Sequence, residues 1–269
     1  MKFRECFSVV VKEHLENKSQ VFDMAKKDLK KQYSGTLLGV LWPVLKNLIF
    51  VFAYWFTVTI GLKSEKMVGV PYIAWLSVGL VPWFFIRDTL VPAARSVRAN
   101  RYLVTKVVFP KSIISTFKVL SGFISSFMFL GVVVLICFSY GIFPTLYWLQ
   151  IIYYAFSALA LMIAISLITS TLVVISRDIE FLINSFIVVI FWLTPILWSV
   201  DNLSGMTAFI VKLNPFYYVI HGFRESMLEQ TWFWESPLLT AYYWGITGVL
   251  FIVGTLIHGK LRNHFADVL

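Results

Sequence analysis

"IISTFKVLSGFISSFMFLGVVVLICFSY", residues 113–140, carries one charge, Lys118, in 28 residues. About 20 predominantly apolar residues are enough for a helix to cross the hydrocarbon core of a bilayer. The apolarity is continuous, whereas a membrane β-barrel would show short alternating segments. The stretch therefore reads as a spanning helix and sets the fold class: an all-α integral membrane protein. Five further stretches of the same kind lie at about 37–62, 71–91, 146–175, 181–200 and 238–258. Six spanning helices are expected, several long enough to tilt or to bury their ends.

Composition agrees. The 269 residues are 59% hydrophobic and 14% charged, with a mean hydropathy of +0.79. A soluble domain of this length would need more polar surface. Residues 37–269 are expected to form one transmembrane domain, preceded by a cytoplasmic region over 1–36. Cys6 and Cys137 are too few for a disulfide framework and read as reduced. The start, "MKFRECFSVV", has charges close to its apolar patch and no small-residue cleavage site, so no signal peptide is expected.

An even number of spans puts both termini on one side. Lys2, Arg4, Lys12, Lys18, Lys26, Lys27, Lys30 and Lys31 precede the first span, and the 95–118 region, Arg177, Lys260 and Arg262 share that side. The opposite loops hold Lys63, Lys66, Lys212 and Arg224. The positive-inside rule places both termini in the cytoplasm. The net charge of +9 then faces anionic lipid, not nucleic acid.

Residues 206–228, "MTAFIVKLNPFYYVIHGFRESML", do not make a good span, because Lys212, Asn214, Pro215 and Arg224 interrupt them. Two short helices hinged at Asn214-Pro215 are expected between spans five and six. A re-entrant or interfacial hairpin, whose backbone must be satisfied by protein or water, is favoured over a plain external loop.

On the cytoplasmic side, "KSQVFDMAKKDLKKQY" (18–33) places Val21, Phe22, Ala25, Leu29 and Tyr33 at helical spacing, with Lys26, Lys27, Lys30 and Lys31 largely on other faces. This is an amphipathic interfacial helix; it serves either as a lipid anchor alone or also as a partner surface. "RSVRANRYLVTKVVFPKS" (95–112) has five basic residues and no acid. Halting translocation accounts for the charge. The interleaved Tyr102, Val104, Val107, Val108 and Phe109 ask for a surface to bury against, which favours a short helix docking on a cytosolic protein and closing at Pro110. In the short link "SRDIEF" (176–181), Arg177 and Asp178 can pair, or Asp178 can cap the fifth helix.

Charge and aromatic rings also lie inside the spans. Lys46 is expected to snorkel toward the interface. Arg87 and Asp88 either neutralise each other or line a path. Trp83 precedes Arg87 by one turn, within reach of cation–π contact. The aromatics of "FVFAYWF" (50–56) and the pair Phe191-Trp192 are first of all packing residues, although ring faces also stack on sugars. There is no GxxxxGK[ST] phosphate loop, no HExxH and no Cys/His cluster for a metal. His14, His221, His258 and His264 are scattered, and no catalytic set is expected.

Five motifs in order carry a resemblance over nearly the whole chain. "KKDLKKQYSGTLLGVLWPVL" (26–45), "GLVPWFF" (79–85), "VTKVVFPKS" (104–112), "SRDIEFL" (176–182) and "LNPFYYVIHGFRESML" (213–228) resemble permease subunits of ABC-2-type polysaccharide exporters. "VPYIAWLSVGLVPWFF" (70–85) and "GIFPTLYWLQIIYY" (141–154) look most similar to teichoic-acid exporter permeases; O-antigen and capsule permeases are close relatives. A membrane glycosyl- or acyltransferase acting on a lipid-linked sugar is the rival from another class.

The resemblance implies a homodimer that exports an undecaprenyl-linked polysaccharide with two separate ATPase subunits, which hold the ATP and Mg; this chain would carry no cofactor. It implies ATPase coupling through Arg95, Arg98, Asn100, Arg101, Tyr102, Lys106, Arg177 and Asp178. The helix with Lys26, Lys27, Lys30 and Lys31 corresponds to the family's cytosolic interface helix. A substrate path bordered by spans one and five, with span two, would take Tyr54, Trp55, Phe56, Trp83, Phe84, Arg87, Asp88, Phe191 and Trp192. Arg87-Asp88 stands where such permeases often have small polar residues, and a cationic lining there would suit a polyanionic teichoic chain.

Overall fold

The computed structural model describes residues 3–61, 63, 66, 67, 69–107 and 109–268. Lys2, the expected end of span one at Leu62, and Val108 lie outside the described residues.

The chain folds as a helical bundle. Two helices come first, α1 (Phe3–Glu16) and α2 (Lys18–Gln32); the sequence pattern led to an expectation of the second alone. α3 (Trp42–Phe56) begins with Pro at its first turn, where a missing N–H costs no hydrogen bond, and runs on as a π-turn over Thr57–Gly61. A two-residue hairpin, β1 (Lys66–Met67) against β2 (Val70–Pro71), leads into α4 (Tyr72–Ala94). Short helices α5 (Ser96–Ala99) and α6 (Arg101–Thr105) follow. Then come α7 (Ile113–Ser139), α8 (Gln150–Ile175), α9 (Asp178–Leu193), α10 (Gly205–Lys212), α11 (Pro215–Arg224), α12 (Pro237–Leu261) and α13 (Phe265–Val268).

Five helical segments are long and apolar enough to cross a membrane: Gly39–Gly61, Tyr72–Ala94, Ile113–Ser139, Leu146–Ile175 and Pro237–His264. The stretch expected as a further span over 181–200 is corrected. α9 has 16 residues, about 24 Å of helix, and stops at Leu193. The cause is Pro195, which disfavours helical backbone at the residue before it; Thr194 is extended, with φ −91° and ψ 135°. α9 still links opposite ends of the bundle. Its Glu180 faces Arg95 at one end, and the chain just beyond it offers the Leu197 carbonyl to Tyr72 at the other.

α4 is the axis. In its spanning window 83% of residues are buried, against 17% for α3, so α3 is peripheral. Trp75, Trp83, Phe84 and Phe85 of α4 pack with Phe129 of α7, Tyr154 of α8, Phe223 of α11 and Tyr243 of α12. α11 thus sits among the spanning helices with Tyr217, Tyr218, Val219 and Ile220 buried, unlike a plain external loop. Asn214 caps it, its side-chain oxygen accepting from the Phe216 N–H.

Both termini meet at the basic end. Glu13 of α1 pairs with Arg262 at 2.7 Å and accepts from the Ser112 hydroxyl at 2.6 Å. His14 donates from Nδ1 to the Val10 carbonyl and accepts at Nε2 from Thr116, since a carbonyl can only accept. Burial holds its pKa below the ordinary histidine value, consistent with the neutral ring this network needs.

Candidate functional site

Three places in the fold carry chemistry. The first is the surface at the basic end. Of the apolar groups between 95 and 112, Val97 and Val104 turn inward and pack with Val21 and Ala25 of α2, Ile113 and Phe117 of α7, and Phe265 of α13. They bury against this chain's own helices, which corrects the expectation that they all need an external surface. What remains outward is Tyr102, 67% exposed, with Arg95, Arg101 and Lys106 exposed and Arg98 and Asn100 half-buried. Arg177 and Asp178 are exposed nearby in sequence to α9. Neither expected role of Asp178 is realised. The residue at the cap position is Arg177, without a side-chain bond, and Asp178 is bonded to Ser176. The Asp178 carboxylate in the first turn still favours the positive end of the helix dipole. Arg95 reaches Glu180 of α9 at 3.8 Å, so the surface is tied to α9. On α2, Lys26 and Lys27 are exposed, as are Lys30 and Lys31, and the Lys26 ammonium lies 4.3 Å from the Phe22 ring.

The second place is a cleft of about 220 Å³ between α3, α4 and α9, lined by Tyr54, Trp83, Arg87, Phe191 and Trp192 among others. Tyr54 stacks on Phe191 at 5.3 Å, and Trp83 lies 5.4 Å from the same ring. Five of the nine residues expected along a path thus converge here. Trp55 and Phe56 do not, because both pack on Phe52. Phe84 is in the core against Phe129.

Asp88 faces the other way, where Lys46 meets it at 2.9 Å; Lys46 is therefore ion-paired instead of snorkelling alone. Arg87 binds both oxygens of Asp88, at 2.8 and 3.0 Å, and the Asn47 oxygen at 3.2 Å. Those bonds turn its guanidinium onto Phe50 and Phe84, at 4.5 and 4.6 Å, so the expected contact with Trp83 is replaced.

The third place is at the far end and was missed by sequence reasoning. Arg224, at the end of α11, is 3% exposed. Its Nη1 donates to the Pro195 carbonyl at 2.7 Å and its Nη2 to the Ile196 carbonyl at 2.8 Å. Its guanidinium lies 3.3 Å from the Trp75 ring. The carbonyls are free because Pro195 ends α9. Gly79 makes the room, since a Cβ there would fall 2.7 Å from the Arg224 Cζ. Arg224 is a single cation in an apolar run, a signal that was visible, but its partners come from three separate elements. Nearby, burial and the charge of Glu225 push the Glu229 carboxyl up to about 7. Among the described residues there is no group of three or more His, Cys, Asp or Glu side chains able to hold a metal.

Comparison with known proteins places this geometry among relatives. The family model described as ABC-2 type transporter matches residues 19–228. The chain is 31% identical over 259 residues to the O-antigen export system permease protein RfbA of Klebsiella pneumoniae, covering 94% of this chain and 97% of that protein. It is 22% identical over 260 residues to the protein of the same name from Myxococcus xanthus, covering 96% and 98%.

Proposed function

The chain belongs to the ABC-2 type transporter family, and from that premise we propose that it is the permease subunit of an exporter carrying lipid-linked O-antigen polysaccharide outward across the cytoplasmic membrane. The observation that carries this reading is the similarity, along nearly the full length of both chains, to O-antigen export permeases. It moves the polymer away from wall teichoic acid. The site supports the move: Arg87 is held by Asp88 and Asn47 and is not a free cation offered to a polyanion. The transferase reading gains no support from the family.

In the working unit, two copies of this chain pair with two copies of a separate ATPase, which binds ATP and Mg. The basic end, with both termini, faces the cytosol. The partner docks on the surface around Arg95, Arg98, Asn100, Arg101, Tyr102 and Lys106, with Arg177 and Asp178 beside it and α2 along its edge. Nucleotide binding moves this surface. The Arg95–Glu180 contact passes the motion to α9, and packing through Val97 and Val104 passes it to α2. α9 then separates from α3 at the Tyr54–Phe191 stack, opening a path whose ring faces tolerate any sugar sequence. A ligand shifts such an equilibrium only by binding the two states unequally, so the docked surface must differ between nucleotide states.

The test is reconstitution with the partner ATPase in proteoliposomes. ATP-dependent translocation of undecaprenyl-diphosphate-linked O-polysaccharide is expected, with little movement of a glycerol-phosphate polymer. Equal transport of the latter would restore the teichoic reading, and transport of neither would refute export of a lipid-linked polymer.

A further inference from the structure

Two adjoining cavities at the basic end have no role in the path just described. The outer one, about 320 Å³, lies between α2 and the turn after α4 and is lined by Lys31, Arg95, Ser96 and Asn100, among others. The inner one, about 240 Å³, is lined by Tyr33, Lys46, Asp88, Thr89 and Ser125, among others. Gln32, Pro92 and Lys118 border both, which makes them one recess. Either is far larger than the roughly 30 Å³ share of a water molecule.

The lining is built for an anion. Four cations, Lys31, Arg95, Lys46 and Lys118, face two carboxylates, Asp28 and Asp88. Both carboxylates are already engaged. Lys118 bonds both oxygens of Asp28, at 2.8 and 3.0 Å. Asp88 alone answers both Lys46 and Arg87. Lys31 makes no ion pair among the described residues. The hydroxyls of Thr89 and Ser96 are buried without a hydrogen-bond partner. Positive surplus together with unpaired hydroxyls suits a group with several acceptor oxygens, and ionised acceptors make the shorter, stronger hydrogen bonds.

The depth favours a lipid as the carrier of that group. Lys118 lies five residues inside α7, about 7.5 Å from its start. Asp88 and Thr89 lie a similar distance from the end of α4. This is the depth of headgroups and the first acyl carbons. Beside Lys46, whose side chain is 47% exposed, Leu41, Leu45, Ile49, Phe52 and Phe56 are exposed at the spacing of one helix face. A hydrocarbon tail can lie along that stripe while its head enters the recess.

We propose that this recess binds the phosphate-bearing headgroup of a lipid, with Lys46 and Lys118 supplying the charge and Thr89, Ser125 and Tyr33 further hydrogen bonds. The inference rests on the export reading in that the lipid is the anchor of the exported polymer.

The test uses the complex with its ATPase in phosphatidylcholine nanodiscs. Native mass spectrometry reads retention of undecaprenyl phosphate, with uncharged undecaprenol and inorganic pyrophosphate as comparison probes. Lys46→Gln and Lys118→Gln should each weaken retention about tenfold, the loss of one charge-assisted bond. Lys118→Arg should retain the lipid, and Lys12→Gln, at an exposed pair with Glu16, should change nothing. If Lys118→Gln does not fold, Lys46→Gln and Lys118→Arg decide. Equal retention by the Gln variants, or of undecaprenol, overturns the site. Displacement by inorganic pyrophosphate at equal concentration overturns the lipid as the source. Export is measured on the same preparation: wild-type export with unchanged retention in both Gln variants sinks the site alone, and headgroup binding without export sinks the exporter reading alone.

Discussion

Arg224 and Gly79 should behave as one unit, and a double-mutant cycle measures this. A methyl at Gly79 would sit 2.7 Å from the Arg224 Cζ and 2.8 Å from its Nε, whereas ordinary contact begins at 3.4 Å. The guanidinium must retreat by about 0.7 Å. It cannot swing aside cheaply, because the Pro195 and Ile196 carbonyls and the Trp75 ring fix it. A retreat of that size stretches bonds of 2.7 and 2.8 Å to about 3.4–3.5 Å, past the useful range. Hydrogen bonds to a charged group contribute about 1.5–3 kcal/mol each, and stranding a buried charge costs about 3–5 kcal/mol. Gly79→Ala should therefore destabilise by about 3 kcal/mol, lowering the unfolding midpoint on the order of 10 °C at about 2–4 °C per kcal/mol. Arg224→Met removes the charge and leaves the carbonyls unpaired, with a cost of similar size. In the double variant the methyl meets a flexible thioether chain, so it should add almost nothing, giving a coupling of about 3 kcal/mol. The assay is thermal unfolding of the detergent-purified protein, followed by tryptophan fluorescence. Additive effects of the two substitutions would refute the staple.

Tyr102→Ala with Arg101→Glu alters only exposed groups, so the midpoint should hold within about 0.5 kcal/mol while co-purification of the ATPase is lost; a partner that still binds removes this surface from docking. Arg87→Gln leaves Lys46 on Asp88, so the protein should fold with reduced export per folded molecule, and unchanged export takes Arg87 out of the path. Glu229 has its folded pKa raised from 4.5 to about 7, so its favourable contribution is complete below pH 4.5 and is lost as pH rises through about 7. Glu229→Gln should thus gain stability relative to wild type between pH 5 and pH 8; parallel midpoints across that range would contradict the burial of Glu229 against Glu225.

The spans, the sidedness of charge and the hinge at Asn214-Pro215 were legible in the residues, because hydropathy, Lys/Arg asymmetry and Pro act locally. Length over 181–200 misled, because hydropathy does not register that Pro195 frees its neighbour from the helix. Lys46 was read as snorkelling because Asp88, its partner, lies on a different helix. Val97 and Val104 looked like docking residues because the groups that cover them come from α2, α7 and α13.

The sequence by itself determined that this chain lives in a membrane and which of its faces is basic, since one-dimensional apolarity and charge are sufficient for both. Only the tertiary structure decided where each interior cation finds its counterpart. Arg224 meets two carbonyls released by a helix break nearly thirty residues upstream, Asp88 draws in Lys46 across helices, and Lys118 reaches back to Asp28. In a medium that cannot solvate them, polar groups must be satisfied by whatever the packing of helices brings near, and sequence spacing does not record that proximity.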